Sequence, residues 1–313
     1  MKDSVYEQCS GNSCEAVYGL MSNRTENPLA KWHAVLVNYC DGSSWTGDRE
    51  EPITTGSRTF WLRGRRNLDA ILASLDAEAG LLTNATRVIV SGTSAGGLTA
   101  ILHTDYVASR APAAAHVVSL PDAGFFLDGQ DVTGAYSYRR QWQSAVGPSF
   151  WNATVRGTHA GCLAAVSPVD AWQCFFSQYV YPYVKSPTFV VQSAYDSYQM
   201  GAILHESCNL AVQGNCNPTQ VAQIATYSSV LRNNVTSAVA ATGARDGYFV
   251  TSCWQHEETC QWIDWAGITI GSTMQTVFIE WLNGGPVDDS RRVDGTFGGD
   301  PTCAPQGVVH GSC

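Results

Sequence analysis

Charged residues and long apolar runs are scarce in this sequence. Only 14% of its 313 residues are charged, and 18 Lys and Arg stand against 27 Asp and Glu, so the formal net charge is −9. An acidic chain without a row of basic residues binds a polyanion poorly, which argues against nucleic acid as a partner. No stretch approaches the roughly 18 apolar residues that span a membrane, and the N-terminus lacks the apolar core of a signal peptide. The composition therefore predicts a globular chain with no membrane span.

Cysteine pairs of the metal-binding Cys-x-x-Cys type are also missing, although the chain has 11 cysteines. So many cysteines are typical of an oxidising compartment. Sequons for N-glycosylation agree with a secreted glycoprotein; they lie at Asn23, Asn84, Asn152 and Asn234. Five pairs close in sequence are candidate disulfides: Cys9/Cys14, Cys162/Cys174, Cys208/Cys216, Cys253/Cys260 and Cys303/Cys313. This pairing leaves Cys40 either as a free thiol or bonded to a cysteine upstream of Met1.

Strand-like runs alternate with helix-like segments, without internal repeats or an evident linker. This pattern predicts one α/β domain over residues 1–313, with a mostly parallel sheet covered by helices on both faces. The predicted strands are Trp32–Tyr39, Arg87–Ser91, His116–Leu120, Pro187–Gln192 and Gly247–Ser252, and the predicted helices are Leu68–Ala79, Ala95–Ser109, Pro218–Thr242 and Ser272–Leu282. The long aromatic segment Phe125–Tyr183 is interpreted as a cap-like insertion. Residues 285–313 are expected to be a loop tail pinned by a Cys303–Cys313 disulfide.

The sequence RVIVSGTSAGGLTA, from Arg87 to Ala100, has the form of a nucleophile elbow. A β-branched run leads into Gly-x-Ser-x-Gly and a helical segment follows, so Ser94 is expected on a sharp turn between strand and helix. The small neighbours allow the strained backbone that such a turn needs. The backbone N–H of Ala95 is then a candidate oxyanion donor at the helix start.

Partners for Ser94 are expected at the carboxyl ends of later strands, where the active sites of open α/β sheets collect. Asp196 follows the run TFVVQS and His256 follows GYFVTS, which gives the order Ser, Asp, His that is typical of α/β hydrolases. An imidazole activates a serine hydroxyl, and a carboxylate orients the imidazole. Asp122 also follows a strand and competes with Asp196, or it braces the pocket wall instead. His256 could alternatively be a loop histidine held beside two cysteines.

Five strings in the chain resemble the pectin acetylesterase/Notum family of carboxylesterases over about residues 9–282. They are YCDGSSWTGD, FWLRG, SGTSAGGLTAILHTD, PDAGFFLD and SCWQHE. The resemblance implies an α/β-hydrolase-like fold, secretion, disulfide bonds and no metal or other cofactor. It aligns the nucleophile, acid and base of the family with Ser94, Asp196 and His256. Glu257 and Glu258, beside the histidine, are expected on a solvated face.

One part of the family pattern has no counterpart here. The family has an N-terminal strand that ends in a Gly-Gly-Gly-Trp-Cys type of loop, which supplies half of the oxyanion hole and carries a cysteine. The sequence is therefore expected to be an N-terminally truncated member, whose signal peptide and whose partner for the odd cysteine lie in the missing segment.

The expected function is removal of acetyl groups from a cell-wall polysaccharide such as pectin by a secreted, monomeric serine carboxylesterase. Plant-type members of the family act on pectin, whereas Notum removes a fatty acyl group from a signalling protein, so a Notum-like deacylase is the alternative. A catalytically silent member that binds a glycan or a protein is a third hypothesis.

Overall fold

The protein is built around a parallel β-sheet with helices on both faces. The computed structural model describes residues 19–39, 41–80 and 82–303, to which all structural statements refer. The strands are β1 (Ile53–Thr55), β2 (Arg58–Phe60), β3 (Arg87–Thr93), β4 (His116–Asp122), β5 (Phe189–Ser193), β6 (Gly247–Thr251) and β7 (Arg291–Val293). The α-helices are α1 (Gly64–Ala79), α2 (Ala95–Arg110), α3 (Ser137–Val146), α4 (Ala160–Ala165), α5 (Ser177–Val180), α6 (Ser197–Ala202), α7 (Pro218–Ala240), α8 (Trp262–Trp265) and α9 (Met274–Leu282).

The central sheet has the strand order β3-β4-β5-β6-β7, and all of its pairings are parallel. β1 and β2 form a separate antiparallel hairpin. Parallel strands end at the same edge of a sheet, so the residues that follow β3, β4, β5 and β6 are brought to one rim. The fold thereby gathers side chains that are up to 162 positions apart in sequence.

Side-chain alternation along the strands builds a core on each face of this sheet. Val190 packs with α2 and α7 in one buried cluster, whereas Phe189 and Val191 pack with α8 and α9 in another. A strand that is buried on both faces appears in the sequence as a continuous apolar run, without alternation of apolar and polar residues. This explains why the sequence TFVVQS is recognisable as a central strand.

Four of the five predicted strands and all four predicted helices are present, with ends that differ by a few residues. The prediction of a strand at Trp32–Tyr39 is wrong, because residues 33–39 have no assigned strand or helix. Val35 and Leu36 are 42% and 45% exposed. Apolar β-branched composition favours a strand only where a neighbouring strand satisfies its backbone groups, and no such pairing occurs in the described part of the chain.

The tail after Gly284 is not only loop, because it contains β7 at the edge of the sheet. β7 pairs in parallel with β6, and Val293 lies opposite Val250. Its sequence, Arg-Arg-Val, carries no apolar run that would predict a strand. A short edge strand with charged side chains needs little burial, so the hydrophobic pattern does not reveal it.

Two of the predicted disulfides are confirmed and two are wrong. Cys162–Cys174 and Cys208–Cys216 are bonded as expected. Cys253 is bonded to Cys303, 50 positions away, rather than to Cys260. Cys303 is therefore not available to Cys313, and Cys260 has a disulfide of its own with another cysteine. The reason is topological. β7 lies beside β6, so the segments that follow these two strands, which contain Cys303 and Cys253, lie close together.

The remaining cysteine predictions, the Cys9/Cys14 pair and the unpaired Cys40, lie outside the described residues. The segment Phe125–Tyr183, interpreted as a cap, contains α3, α4 and α5 and is tied by its own disulfide. Its aromatic side chains pack with α2 and α7 in the larger buried cluster. Its role as a cap stays a prediction.

Candidate active site

Ser94 lies on a tight turn between β3 and α2. Its backbone has φ 55° and ψ −118°, a sparsely populated region for a residue with a side chain. The turn requires glycine nearby: a Cβ on Gly92 would lie 2.6 Å from the backbone of Gly96, and one on Gly97 would lie 2.3 Å from the carbonyl oxygen of Asp122. The motif therefore encodes the local geometry that projects the Ser94 hydroxyl away from the sheet.

The structure brings Ser94, His256 and Asp196 together in a hydrogen-bonded series. His256 Nε2 lies 2.7 Å from Ser94 Oγ, and His256 Nδ1 lies 2.9 Å from Asp196 Oδ1. Each of the three follows a different strand of the sheet, namely β3, β6 and β5. These are the distances that let an imidazole accept a proton from the hydroxyl while a carboxylate holds the ring.

Asp196 is completely buried and its carboxylate is saturated with hydrogen bonds. It caps α6, because Oδ1 accepts from the backbone N–H groups of Tyr198 and Gln199 at 3.0 and 3.1 Å. Oδ2 accepts from the side-chain amides of Gln192 at 2.8 Å and Gln199 at 3.3 Å. These donors compensate for the burial of the carboxylate and fix its direction toward His256.

The imidazole of His256 is enclosed by aromatic side chains. Tyr198 stacks on it, with ring centroids 5.1 Å apart, and Phe126 lies 6.3 Å away. Burial lowers the pKa of His256, but the charge of Asp196 and its hydrogen bond outweigh that effect, so the pKa lies above its ordinary value. The site thereby stabilises the protonated imidazole, which is the form created when the ring takes up a proton.

Asp122, the competing acid, makes a different set of contacts. Its Oδ2 accepts from the backbone N–H groups of Glu258 and Thr259 and from the hydroxyl of Thr259. Burial raises the pKa of Asp122 to about 7. The expectation that Glu258 is solvated is wrong: this side chain is 1% exposed, and it accepts a hydrogen bond from Thr251.

Ala95 is the first residue of α2, so its N–H is among those without an acceptor inside the helix. This N–H directly follows the Ser94 turn, where negative charge on a reacting carbonyl oxygen would develop. Its role as an oxyanion donor stays a prediction.

A metal-type grouping in the described part of the chain involves Cys253, Asp300 and Cys303. The two cysteines are bonded to each other, so neither offers a thiolate ligand. Also within the described residues, no helix combines the length and apolarity that crossing a bilayer requires.

Several residues of the site were not found by sequence reasoning. Gln192 and Gln199 hold Asp196, and Tyr198 covers the imidazole. Gln192 could have been predicted from the sequence, because it is the one polar side chain in the apolar run Phe189–Gln192 and would need a buried hydrogen-bond partner. Gln199 and Tyr198 could not, since their importance depends on the packing of α6 against the histidine loop.

The parallel sheet, the flanking helices and the strand-end serine turn define an α/β-hydrolase-like protein. The chain belongs to the pectinacetylesterase family, whose model matches residues 10–304.

Similar proteins include pectin acetylesterase 11 of Arabidopsis thaliana, 33% identical over 261 residues, which are 79% of this chain and 63% of that protein. The palmitoleoyl-protein carboxylesterase Notum of Drosophila melanogaster is 28% identical over 59% of this chain and 28% of its own length. The solved structure of the Wnt deacylase Notum from Drosophila superposes with a TM-score of 0.75 and 22% identity, covering 92% of this chain and 79% of that one. The chain thus spans less than two thirds of the Arabidopsis relative and shares its fold with Notum.

Proposed function

We propose that this protein is a secreted serine carboxylesterase that removes acetyl groups from a pectin-like cell-wall polysaccharide. The observation that carries the proposal is the hydrogen-bonded series of Ser94, His256 and Asp196 at the carboxyl edge of the sheet. Membership of the pectinacetylesterase family supports the substrate class. The disulfides among the described residues support an extracellular setting.

The reaction proceeds by acyl transfer in two steps. His256 Nε2 takes the proton of Ser94 Oγ as that oxygen attacks the ester carbonyl carbon, and the carbonyl oxygen becomes an oxyanion near the N–H of Ala95. The bond to the sugar oxygen then breaks, and His256 donates its proton to the leaving alcohol. A water molecule, deprotonated by His256, attacks the acetyl-serine, releases acetate and restores the Ser94 hydroxyl.

The surroundings of His256 favour a small acyl group. Phe126 lies against the imidazole and against Tyr138, which in turn packs on Trp142. These three aromatic side chains are each less than 8% exposed. Because they fill the space on this side of the histidine, an acetyl group is accommodated more easily than a long acyl chain.

Hydrolysis of p-nitrophenyl esters from acetate to palmitate tests the proposal. We expect kcat/KM to be highest for acetate and to fall with every increase in chain length. Ser94→Ala should abolish turnover while leaving the circular dichroism spectrum and the thermal unfolding curve unchanged. A maximum at eight carbons or longer would instead support a Notum-like deacylase, and no turnover of any ester would support a protein that binds without catalysis.

A further inference from the structure

We propose that Asp122 is a positioning residue that holds the turn of Ser94 and the loop of His256 in register. This inference rests on the proposed function, because it concerns the geometry of the same reaction. Asp122 itself makes no contact with Ser94 Oγ or with a ring nitrogen of His256 among the described hydrogen bonds. It acts through the backbone on either side.

Asp122 contacts the nucleophile turn through its main chain. It is the last residue of β4, beside Thr93 in β3, and its carbonyl oxygen accepts a hydrogen bond from the N–H of Ser94 at 2.9 Å. This bond fixes the strained residue directly. Gly97 of the following helix lies so close to the same carbonyl that no side chain fits between them.

The carboxylate of Asp122 holds the chain just after the histidine. Oδ2 accepts from Glu258 N at 2.7 Å, from Thr259 N at 2.6 Å and from Thr259 Oγ1 at 2.8 Å. Two consecutive N–H groups bound to one oxygen fix both the position and the direction of the backbone. His256 is only two residues away from the first of them.

The loop needs such an anchor because its backbone is strained at the intervening residue. Glu257 has φ 77°, in the left-handed region, so the backbone between His256 and Glu258 is strained. Glu257 also accepts a hydrogen bond from Thr93 Oγ1 at 3.2 Å. The loop therefore contacts the ends of two adjacent strands, at Thr93 of β3 and at Asp122 of β4, and the Asp122 contact is fully buried.

The cost of this arrangement is consistent with a functional role. Asp122 is 0% exposed, and its second oxygen, Oδ1, has no hydrogen-bond partner in the described part of the chain. Burial is the main cause of its raised pKa, and the nearby charge of Glu257 raises it further. A buried carboxylate is costly unless hydrogen bonds compensate for it, so the three donors at Oδ2 are what stabilise Asp122 in this position.

Asp122 also influences the titration of the site. Its charge is one of those that raise the pKa of His256, together with the charges of Asp196 and Glu257. Burial raises the pKa of Asp122 itself to about 7, so its carboxyl is only partly ionised where His256 titrates. Removing the charge at position 122 should therefore lower the pH at which activity is lost, but by less than removing the charge of Asp196. This effect separates a role in the site from a role in folding.

Two substitutions divide the contributions of hydrogen bonding and charge. Asp122→Asn keeps an acceptor oxygen where Oδ2 lies and places its amide at the unpartnered Oδ1 position, so it removes the charge and keeps the anchor. Asp122→Ala removes both. Asp246→Asn is the matched control, because Asp246 is equally buried and accepts from Thr188 N and Tyr181 Oη at the opposite end of the sheet.

Steady-state hydrolysis of p-nitrophenyl acetate between pH 4 and 9 provides the readouts. For Asp122→Ala we expect kcat to fall about a hundredfold with KM within threefold, since a misplacement of roughly 1 Å costs that much in rate. For Asp122→Asn we expect kcat within tenfold of the parent and the acid limb of kcat/KM shifted to lower pH. Asp246→Asn should lower the unfolding temperature without shifting the acid limb.

The inference is overturned if Asp122→Asn leaves the acid limb where the parent has it, or if folded Asp122→Ala retains the parent kcat. Should Asp122→Ala fail to fold, the pH profile of Asp122→Asn still tests the inference. Failure of the proposed function looks different, because the parent protein itself would then hydrolyse no ester.

Discussion

Ser94 and its two partners differ in how far the local sequence determines their geometry. The elbow motif alone predicts the turn at Ser94, because close backbone contacts require glycine at positions 92 and 97. Asp196 and Asp122 both follow apolar strands, and no property of either segment reveals which carboxylate faces the imidazole. That outcome depends on how the loop of residues 252–260 returns across the strand ends, and it becomes visible only in three dimensions.

The contribution of Asp196 can be measured through its charge. Asp196→Asn keeps a side chain able to accept from the N–H groups of Tyr198 and Gln199, so α6 should remain capped. The same oxygen faces His256 Nδ1, so the ring stays oriented, but the negative charge that stabilises the imidazolium is lost, and we expect kcat to fall on the order of 10²- to 10³-fold. The pH dependence of the residual activity should also change.

The direction of that change follows from the pKa of His256. The ring must be neutral to accept the serine proton, so activity is lost as the pH falls through its pKa. Because Asp196 raises this pKa, the variant should keep its residual activity to lower pH than the parent. Asp131→Asn, a substitution at another turn-capping carboxylate, is the control. An unshifted acid limb for Asp196→Asn would rule out the assigned role of Asp196.

Central elements of the fold are more predictable than its edges. β4, β5 and β6 lie inside the sheet and are largely buried, which leaves a strong apolar signal in the sequence. β7 lies at the edge and pairs through three residues, two of them arginines, so its formation depends on the presence of β6 rather than on its own composition. The exposed segment Trp32–Tyr39 shows the converse, since no strand among the described residues pairs with it.

The Cys253–Cys303 bond connects two such elements, the histidine loop and the tail after β7. It closes a separation of 50 residues, and Cys253 lies three residues before His256. Replacing both cysteines by serine should lower the free energy of unfolding by about 4 kcal/mol on the chain-entropy estimate. It should also lower kcat, because the loop loses a covalent restraint close to the imidazole.

Chemical denaturation and p-nitrophenyl acetate hydrolysis measure the two effects. The double serine variant of Cys208 and Cys216 is the control, since that disulfide closes only 8 residues and does not include the histidine loop. We expect the control to lose less stability, about 2.5 kcal/mol, and to keep the parent kcat. Equal losses of kcat in the two variants would show that the bond at Cys253 has no specific influence on the site.

At the scale of the whole molecule, the family and the fold were accessible from the sequence because their signals are distributed. The five strings lie in order along the chain, and the family model matches residues 10–304. The similarity to Drosophila Notum persists at 22% identity with a TM-score of 0.75, so the architecture tolerates extensive side-chain replacement. Disulfide connectivity was only partly predictable, since it depends on the order of strands in the sheet.

The proposed esterase activity requires Ser94 to be an activated nucleophile in the folded protein. Labelling with a fluorophosphonate, followed by intact mass measurement and peptide mapping, tests this most directly, because such reagents phosphonylate serine hydroxyls that a neighbouring base has activated, with release of fluoride. The folded parent should gain one adduct, mapped to Ser94, while heat-denatured parent and His256→Ala should react at least a hundredfold more slowly. An unlabelled folded parent, an adduct at another residue, or a His256→Ala variant that reacts at the parent rate would contradict the account.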